Sequence, residues 1–240
     1  DNRIVAITAA MTKGTGLSLF ESRFPERFFD VGITEQHAVT FAAGLALSGL
    51  KPVVTLYSTF AQRAVDQIIH DVALPGLPVV VALDRAGLVG NDGDTHQGLF
   101  DIPLFKAIPG IRFVAPASEQ EMRHCLAYAF SNSAPTLIRY PRAICPSLTE
   151  SDVPFEEGKG VFIREHGESD VLLIAVGSVL IQTLEAADVL QRRGIKVDVY
   201  NLRFIKPIDE SYLCDCLRRY RLVYCVEEGA ESGGIGESLM

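Results

Sequence analysis

No apolar run in this 240-residue chain is long enough to cross a bilayer: the longest, LPVVVAL at 77–83 and VLLIAV at 171–176, are strand-sized. A helical membrane span is therefore excluded within it. Basic clusters are also missing, and with 22 Lys and Arg against 30 Asp and Glu the formal charge is −8. That balance excludes a general nucleic-acid surface, so an anionic ligand needs a local basic pocket. There is no repeat or low-complexity tract. No Cys-x-x-Cys pair occurs either: Cys125, Cys145, Cys214, Cys216 and Cys225 are odd in number and sit mostly in apolar patterns. They read as reduced structural thiols of a cytoplasmic protein, or a plastid one in a plant, and the triplet Cys214, Asp215, Cys216 lacks the partners of a zinc site. No signal peptide is visible, but the chain opens on Asp1 directly before a strand-like segment and closes just after a glycine-rich turn, as a sequence cut at both ends would.

What is present is an alternation of short apolar runs and helical patterns. Strands are expected at 4–8, 27–31, 51–56, 78–83, 112–115 and 136–139, and helices at 35–48, 62–73 and 118–130. Continuous apolar strands separated by helices imply a parallel sheet covered on both faces. Ser118 with Glu121 reads as a capping box. From 144 to 160 the chain turns polar, acidic and rich in Pro and Gly, the composition of a linker. A second alternating unit follows, with strands at 171–176, 196–200 and 221–226 and helices at 179–193 and 209–220. The fold class is thus α/β, with two parallel-sheet sandwich domains. Gly229, Gly233, Gly234 and Gly236 suit a turn into a helix but miss the spacing of a dinucleotide fingerprint.

The densest chemical signal is DVGITEQHAV at 30–39, where a short strand gives way to a long apolar helix. A helix apolar on nearly every face is a buried one, and a carboxylate entering a core must be paired, hydrogen-bonded or protonated. Two readings of Glu35 stand side by side. In one, Thr34 caps the helix and Glu35 complements its dipole. In the other, Glu35 shares a proton with a heteroaromatic nitrogen of a bound cofactor.

Ligands of open parallel sheets lie beyond the carboxyl ends of the strands. Glu35 falls after one strand, Tyr57, Phe60 and Arg63 after the next, and Asp84, Arg85 and the loop GLVGNDGDTHQGLF (87–100) after a third. Tyr140, Pro141 and Arg142 follow a fourth. The loop carries Asp92, Asp94, His96 and Gln97 among four glycines, which let a backbone approach a ligand closely. A solvated surface loop is the plainer reading; the spacing does not fit a calcium loop. Beside Arg85, His96 is a candidate proton donor to a carbonyl oxygen. Arg85 and Arg142 are either ordinary ion-pair partners or a bidentate clamp for phosphate or carboxylate.

Five ordered blocks, DVGITEQHAVTFAAGLALSG, LYSTFAQRAVDQIIHDVAL, DRAGLVGNDGDTHQGLFD, IRYPR and FIKPID, resemble the 1-deoxy-D-xylulose-5-phosphate synthases, thiamine-diphosphate enzymes similar to transketolase. The resemblance runs through nearly all of 1–142 and continues more thinly to 240. It implies a transketolase-like pyrimidine-binding domain over 1–145, a linker over 146–160 and a transketolase C-terminal-like domain, truncated, over 161–240. It also implies a decarboxylating condensation of pyruvate with glyceraldehyde 3-phosphate, whose product feeds isoprenoid, thiamine and pyridoxal synthesis, with the cofactor as electron sink. By resemblance, Glu35 is the glutamate that holds the aminopyrimidine ring nitrogen and Phe60 the aromatic that stacks on that ring. Tyr57, Arg85 and Arg142 match positions for the acceptor and its phosphate, with Arg63 supporting the cluster. Asp92 and His96 match polar groups near the reacting carbons. Ala143, where the family usually has glycine, and the segment 13–16 depart from the pattern.

The Gly-Asp-Gly motif that binds diphosphate and a divalent metal in such enzymes is missing, since Gly93 and Asp94 are followed by Thr95. The resemblance therefore implies thiamine diphosphate and Mg2+ held by an N-terminal domain or subunit outside this sequence, no metal ligand within it, a homodimer, and inactivity of this chain alone. The alternatives are a transketolase, a 2-oxoacid dehydrogenase β-type subunit, or a non-catalytic scaffold retaining the fold.

Overall fold

Four of the segments that read as buried strands hydrogen-bond side by side in the middle of one sheet, because a run apolar on both faces is stable only with cover above and below. The structure, a computed structural model, describes residues 1–148 and 152–240. In chain order the first unit comprises β1 (Ile4–Thr8), α1 (Ser18–Arg23), β2 (Phe28–Asp30), α2 (Glu35–Leu47), β3 (Lys51–Tyr57), α3 (Ser58–Ala61), α4 (Val65–Gln67), β4 (Val80–Asp84), α5 (Asp101–Lys106), β5 (Arg112–Val114), α6 (Glu119–Ser131) and β6 (Thr136–Tyr140). The second has β7 (Val161–Arg164), β8 (Val171–Ala175), α7 (Leu180–Arg192), β9 (Val197–Asn201), β10 (Phe204–Lys206), α8 (Glu210–Leu217), β11 (Leu222–Val226) and α9 (Ile235–Leu239). The sheets run β10-β5-β6-β4-β3-β1-β2 and β11-β8-β9-β7. Both are parallel-dominated, as expected.

Several expectations need correction. Each sheet carries one antiparallel edge, β10 on β5 and β7 on β9, and the sequence pattern does not reveal these short strands. Nor does α2 bury itself all round: Ala38, Val39, Ala42, Ala43 and Ala46 face the core, whereas Gln36, His37, Gly44 and Leu47 are exposed. Small side chains make the helix look uniformly apolar, yet only one face meets the sheet. The helical run expected at 62–73 begins directly at Ser58 and passes through a 3-10 turn, Gln62–Ala64, and α4 into a π-helical segment, Ile68–Ala73. Phe60 therefore sits on a helical turn that starts before the expected helix, and Arg63 on the 3-10 turn that follows.

The capping box is half realised. Ser118 Oγ accepts from the Glu121 amide at 3.2 Å, but the Glu121 carboxylate turns to the Ala117 amide (2.8 Å), Asn201 Nδ2 (2.8 and 2.9 Å) and Arg203 Nε (2.6 Å). Glu121 and Arg203 are fully buried, so this ion pair is shielded from solvent and fastens α6 to the end of β9. With β10 completing the first sheet, the two units share a hydrogen-bonded boundary. The segment with the composition of a linker packs on its neighbours: the Phe155 and Phe204 ring centroids lie 5.5 Å apart, and Glu157 accepts from Arg112 and from Tyr128 (2.6 Å). Its residues 149–151 lie outside the described residues.

One further α-helix has a side-chain N-cap. Asp209 accepts from the Tyr212 amide at 3.0 Å and starts α8. Asp209→Ala is expected to cost about 1 kcal/mol of stability, read as a lower urea midpoint at unchanged slope. Among the described residues no helix is long and apolar enough to cross a membrane.

Candidate functional site

The register of the first sheet decides which side chains meet. Tyr57 is the Cα partner of Asp84, and Asp84 of Tyr140, while Thr8 pairs with both Thr55 and Asp30. The carboxyl ends of β1, β2, β3, β4 and β6 therefore share one edge, and every candidate residue lies on it or in the loops that leave it.

Asp30 organises the turn before α2, accepting from the Ala10 amide (2.7 Å), the Gly32 amide (3.0 Å) and Thr12 Oγ1 (3.1 Å). Gly32 adopts φ +71, a left-handed conformation that costs glycine little. Thr34 occupies the N-cap position, but its hydroxyl donates to the Val31 carbonyl at 2.8 Å instead of capping. Glu35 opens the helix, 3% exposed, and its oxygens accept two long bonds from Arg63 Nη1, at 3.4 and 3.5 Å. The same guanidinium lies 5.7 Å from the Phe60 ring centroid, and its side chain is 52% exposed. Glu35 and Phe60 thus flank one loosely held cation.

Phe60 heads an aromatic cluster. It stacks on Tyr57 at 5.7 Å and 12°, and His96 meets it edge-on at 5.1 Å. His96 closes a 3-10 turn, Asp94–His96, held by Thr59 Oγ1 donating to the Thr95 carbonyl at 3.1 Å. The Tyr57 ring also carries the Arg85 guanidinium 3.7 Å from its centroid. Burial pushes the Tyr57 hydroxyl above its ordinary pKa, against the opposing charge of Arg85.

Arg85 is buried, with φ +60, a left-handed conformation unfavourable for a residue with a Cβ and held here by its surroundings. Its Nη1 donates to the Gly14 carbonyl (2.9 Å) and lies 3.1 Å from Asp84, while Nε donates to Asp92 Oδ2 (2.9 Å). Burial raises the Asp84 pKa, opposed by Arg85. Arg142 holds the other oxygen of Asp92, with half of its side chain exposed. Both expected guanidiniums therefore meet on one carboxylate. They line a cavity of about 1050 Å³ together with Lys13, Tyr140, Ser178 and Glu228. Glu35, Phe60 and His96 lie outside that cavity, on the adjoining part of the edge.

Three contributors were given no role by the sequence reading. Gly14 is needed because a Cβ there would stand 1.9 Å from the Tyr57 hydroxyl. Gln97 braces the 87–100 loop from inside, donating to the Val89 and Gly93 carbonyls and accepting from the Val89 amide. Glu228, from the second unit, reaches the cavity, a placement that no local motif announces. By contrast, the glycine-rich start of α9 has its amides in use: Glu227 accepts from Ile235 (3.0 Å) and Gly236 (2.8 Å). Among the described residues no group of three or more His, Cys, Asp or Glu could hold a metal.

Residues 1–147 match the family "Transketolase, pyrimidine binding domain", and residues 158–240 match "Transketolase, C-terminal domain". The 1-deoxy-D-xylulose-5-phosphate synthase of Treponema pallidum (strain Nichols) is 55% identical over the whole chain, and that of Halothermothrix orenii is 50% identical. The chain spans 38% of the length of each of these relatives. Among solved structures, a split-gene transketolase described as an inactive β4 tetramer superposes with a TM-score of 0.89 at 33% identity, covering all of this chain and 78% of that one. A Pichia stipitis transketolase shares the fold, with a TM-score of 0.84 at 22% identity. The chain belongs to the transketolase family, and its sequence is similar to 1-deoxy-D-xylulose-5-phosphate synthases from end to end.

Proposed function

We propose that this chain is the pyrimidine-binding and acceptor-binding part of a thiamine-diphosphate-dependent synthase that joins pyruvate to glyceraldehyde 3-phosphate, with loss of CO2, to give 1-deoxy-D-xylulose 5-phosphate for isoprenoid, thiamine and pyridoxal synthesis. The observation that carries this reading is the buried Glu35 carboxylate, met only at 3.4–3.5 Å by a half-exposed guanidinium beside the Phe60 ring. A carboxylate has about four acceptor positions, so these two long contacts leave room for a protonated ring nitrogen. The residues fit an aminopyrimidine: Glu35 would hold its ring nitrogen and Phe60 its face. Thiamine diphosphate, when bound, supplies a nucleophilic carbon and an electron sink.

The chain's own residues do the rest. Glu35 fixes a proton on the pyrimidine side, in a site where burial strengthens the contact. His96, edge-on to Phe60, is the proton donor nearest the stacking face, and Asp92 ties the arginines to the loop that carries it. Arg142, with Arg85 behind it, receives the acceptor's phosphate, and this pair favours a phosphorylated acceptor over the lipoyl acceptor of a 2-oxoacid dehydrogenase. Mg2+ and the diphosphate belong to a portion of the enzyme outside residues 1–240, and the assembled enzyme is a homodimer. Retention of Glu35, Phe60, Arg85 and His96 together argues against a non-catalytic scaffold.

The test is complementation. The chain alone is expected to give no pyruvate-dependent condensation, as the split-gene relative's inactive β4 form suggests by analogy. Addition of a transketolase-type diphosphate-binding domain should give CO2 release and a ketose phosphate. A well-folded complex that makes neither would favour the scaffold reading.

A further inference from the structure

The 87–100 loop carries both Asp92 and His96, yet its root is gripped from the second unit. Reciprocal backbone bonds between Gly87 and Gly98, at 2.8 and 2.9 Å, close the loop. Gly87 has φ +80, and the position where a Cβ would stand lies only 2.7 Å from Glu228 Oε2 and 2.9 Å from Glu228 Cβ. The Glu228 side chain thus rests directly on the loop's first residue. Its Oε2 accepts from Ser178 Oγ at 2.9 Å, a hydroxyl in the turn that leads into α7. The backbone on either side is fixed as well: Arg139 Nη2 donates to the Glu228 carbonyl (2.9 Å) while its Nε donates to Asp101 Oδ2 (2.9 Å), and the Ala230 amide donates to the Leu99 carbonyl (3.0 Å). Segment 228–230 therefore touches the loop at its entry and at its exit.

We propose that Glu228 is a positioning residue through which the second unit sets the place of the loop that carries Asp92, the partner of both cavity arginines, and His96, on the adjoining part of the edge. The inference rests on the acceptor-site reading above. Glu228 acts by contact: its carboxylate is oriented by Ser178, its carbon chain fills the space that Gly87 leaves, and a shift there is passed to Asp92, which both arginines share. A misplacement of about 1 Å at a reacting constellation costs up to about 100-fold, so a partial loosening of the root should be visible in kinetics.

Glu228→Ala, assayed with the diphosphate-binding portion present, is expected to lower kcat/KM for the phosphorylated acceptor about tenfold, a larger loss than in acceptor-independent CO2 release from pyruvate. Glu228→Gln keeps an oxygen for Ser178 and nearly the same shape, and should restore most of the loss; Ser178→Ala should show a weaker form of the alanine effect. Amide hydrogen exchange across 87–100 should speed up in Glu228→Ala and not in Glu228→Gln. Equal loss of both reactions, failure of the glutamine variant to restore activity, or unaltered exchange would overturn the proposal. If the unsubstituted enzyme makes no product from glyceraldehyde 3-phosphate, the functional reading fails, while the exchange measurement still decides the positioning role. Should Glu228→Ala fail to fold, Ser178→Ala carries the same comparison.

Discussion

Replacing Glu35 by alanine is expected to lower turnover of the complete enzyme by about 10²- to 10⁴-fold, the range supplied by a positioned acid–base group, with the fold intact. The asymmetry follows from the structure. Glu35 is 3% exposed, yet its contacts to Arg63 are long and that guanidinium is half in water. Removing the carboxylate leaves Arg63 solvated rather than buried and unpaired, and forfeits about 0.3–1 kcal/mol of helix-dipole stabilisation at most. On the proposed function, catalysis by contrast loses the acceptor for the pyrimidine proton. The readout beyond turnover is exchange of the thiazolium C2 proton into heavy water with cofactor bound: it should slow in parallel with turnover in Glu35→Ala. Glu35→Gln, which preserves shape but not charge, should remain deficient. Near-normal exchange in Glu35→Ala, with the melting temperature unchanged, would remove Glu35 from cofactor activation.

The buried strands were legible because their apolar runs admit no other stable placement, and β4, buried at every residue, is the clearest case. The edge strands β7 and β10 were not, since three or four residues paired on one side leave little pattern and their partners lie far along the chain. The candidate site divides in the same way. Residues at or just beyond strand ends, such as Tyr57, Arg85 and Arg142, were legible as candidates because the edge of a parallel sheet gathers them. What could not be read was how they pair: Arg85 and Arg142 converge on Asp92, a geometry set by loop closure between Gly87 and Gly98. Glu228 lies 141 residues beyond Gly87 in the chain (228 − 87) and is joined to it only by the docking of the two units. The capping box at Ser118 was half legible for a related reason. Local spacing identified the Ser118 contact, while a tertiary partner, Arg203, drew the Glu121 carboxylate elsewhere.

That shared carboxylate also separates the two arginines experimentally. Arg142 is half exposed on the cavity wall and holds one oxygen of Asp92, so it can exchange that contact for a phosphate without moving buried structure. Arg142→Ala is expected to reduce kcat/KM for glyceraldehyde 3-phosphate about 10- to 100-fold, the loss of roughly 1.5–3 kcal/mol from charge-assisted hydrogen bonds. The KM for pyruvate should stay the same. Arg85 is buried among Asp84, Asp92, the Gly14 carbonyl and the Tyr57 ring, so its removal also strands the Asp84 carboxylate and leaves Asp92 with Arg142 alone. Arg85→Ala should therefore weaken acceptor use and lower the melting temperature together, whereas Arg142→Ala should do only the first. Unphosphorylated glyceraldehyde supplies the control: because it lacks the phosphate, Arg142→Ala should leave its use unchanged. A parallel loss with both aldehydes, or an equal rise in the pyruvate KM, would show that Arg142 shapes the site rather than binding the acceptor's phosphate.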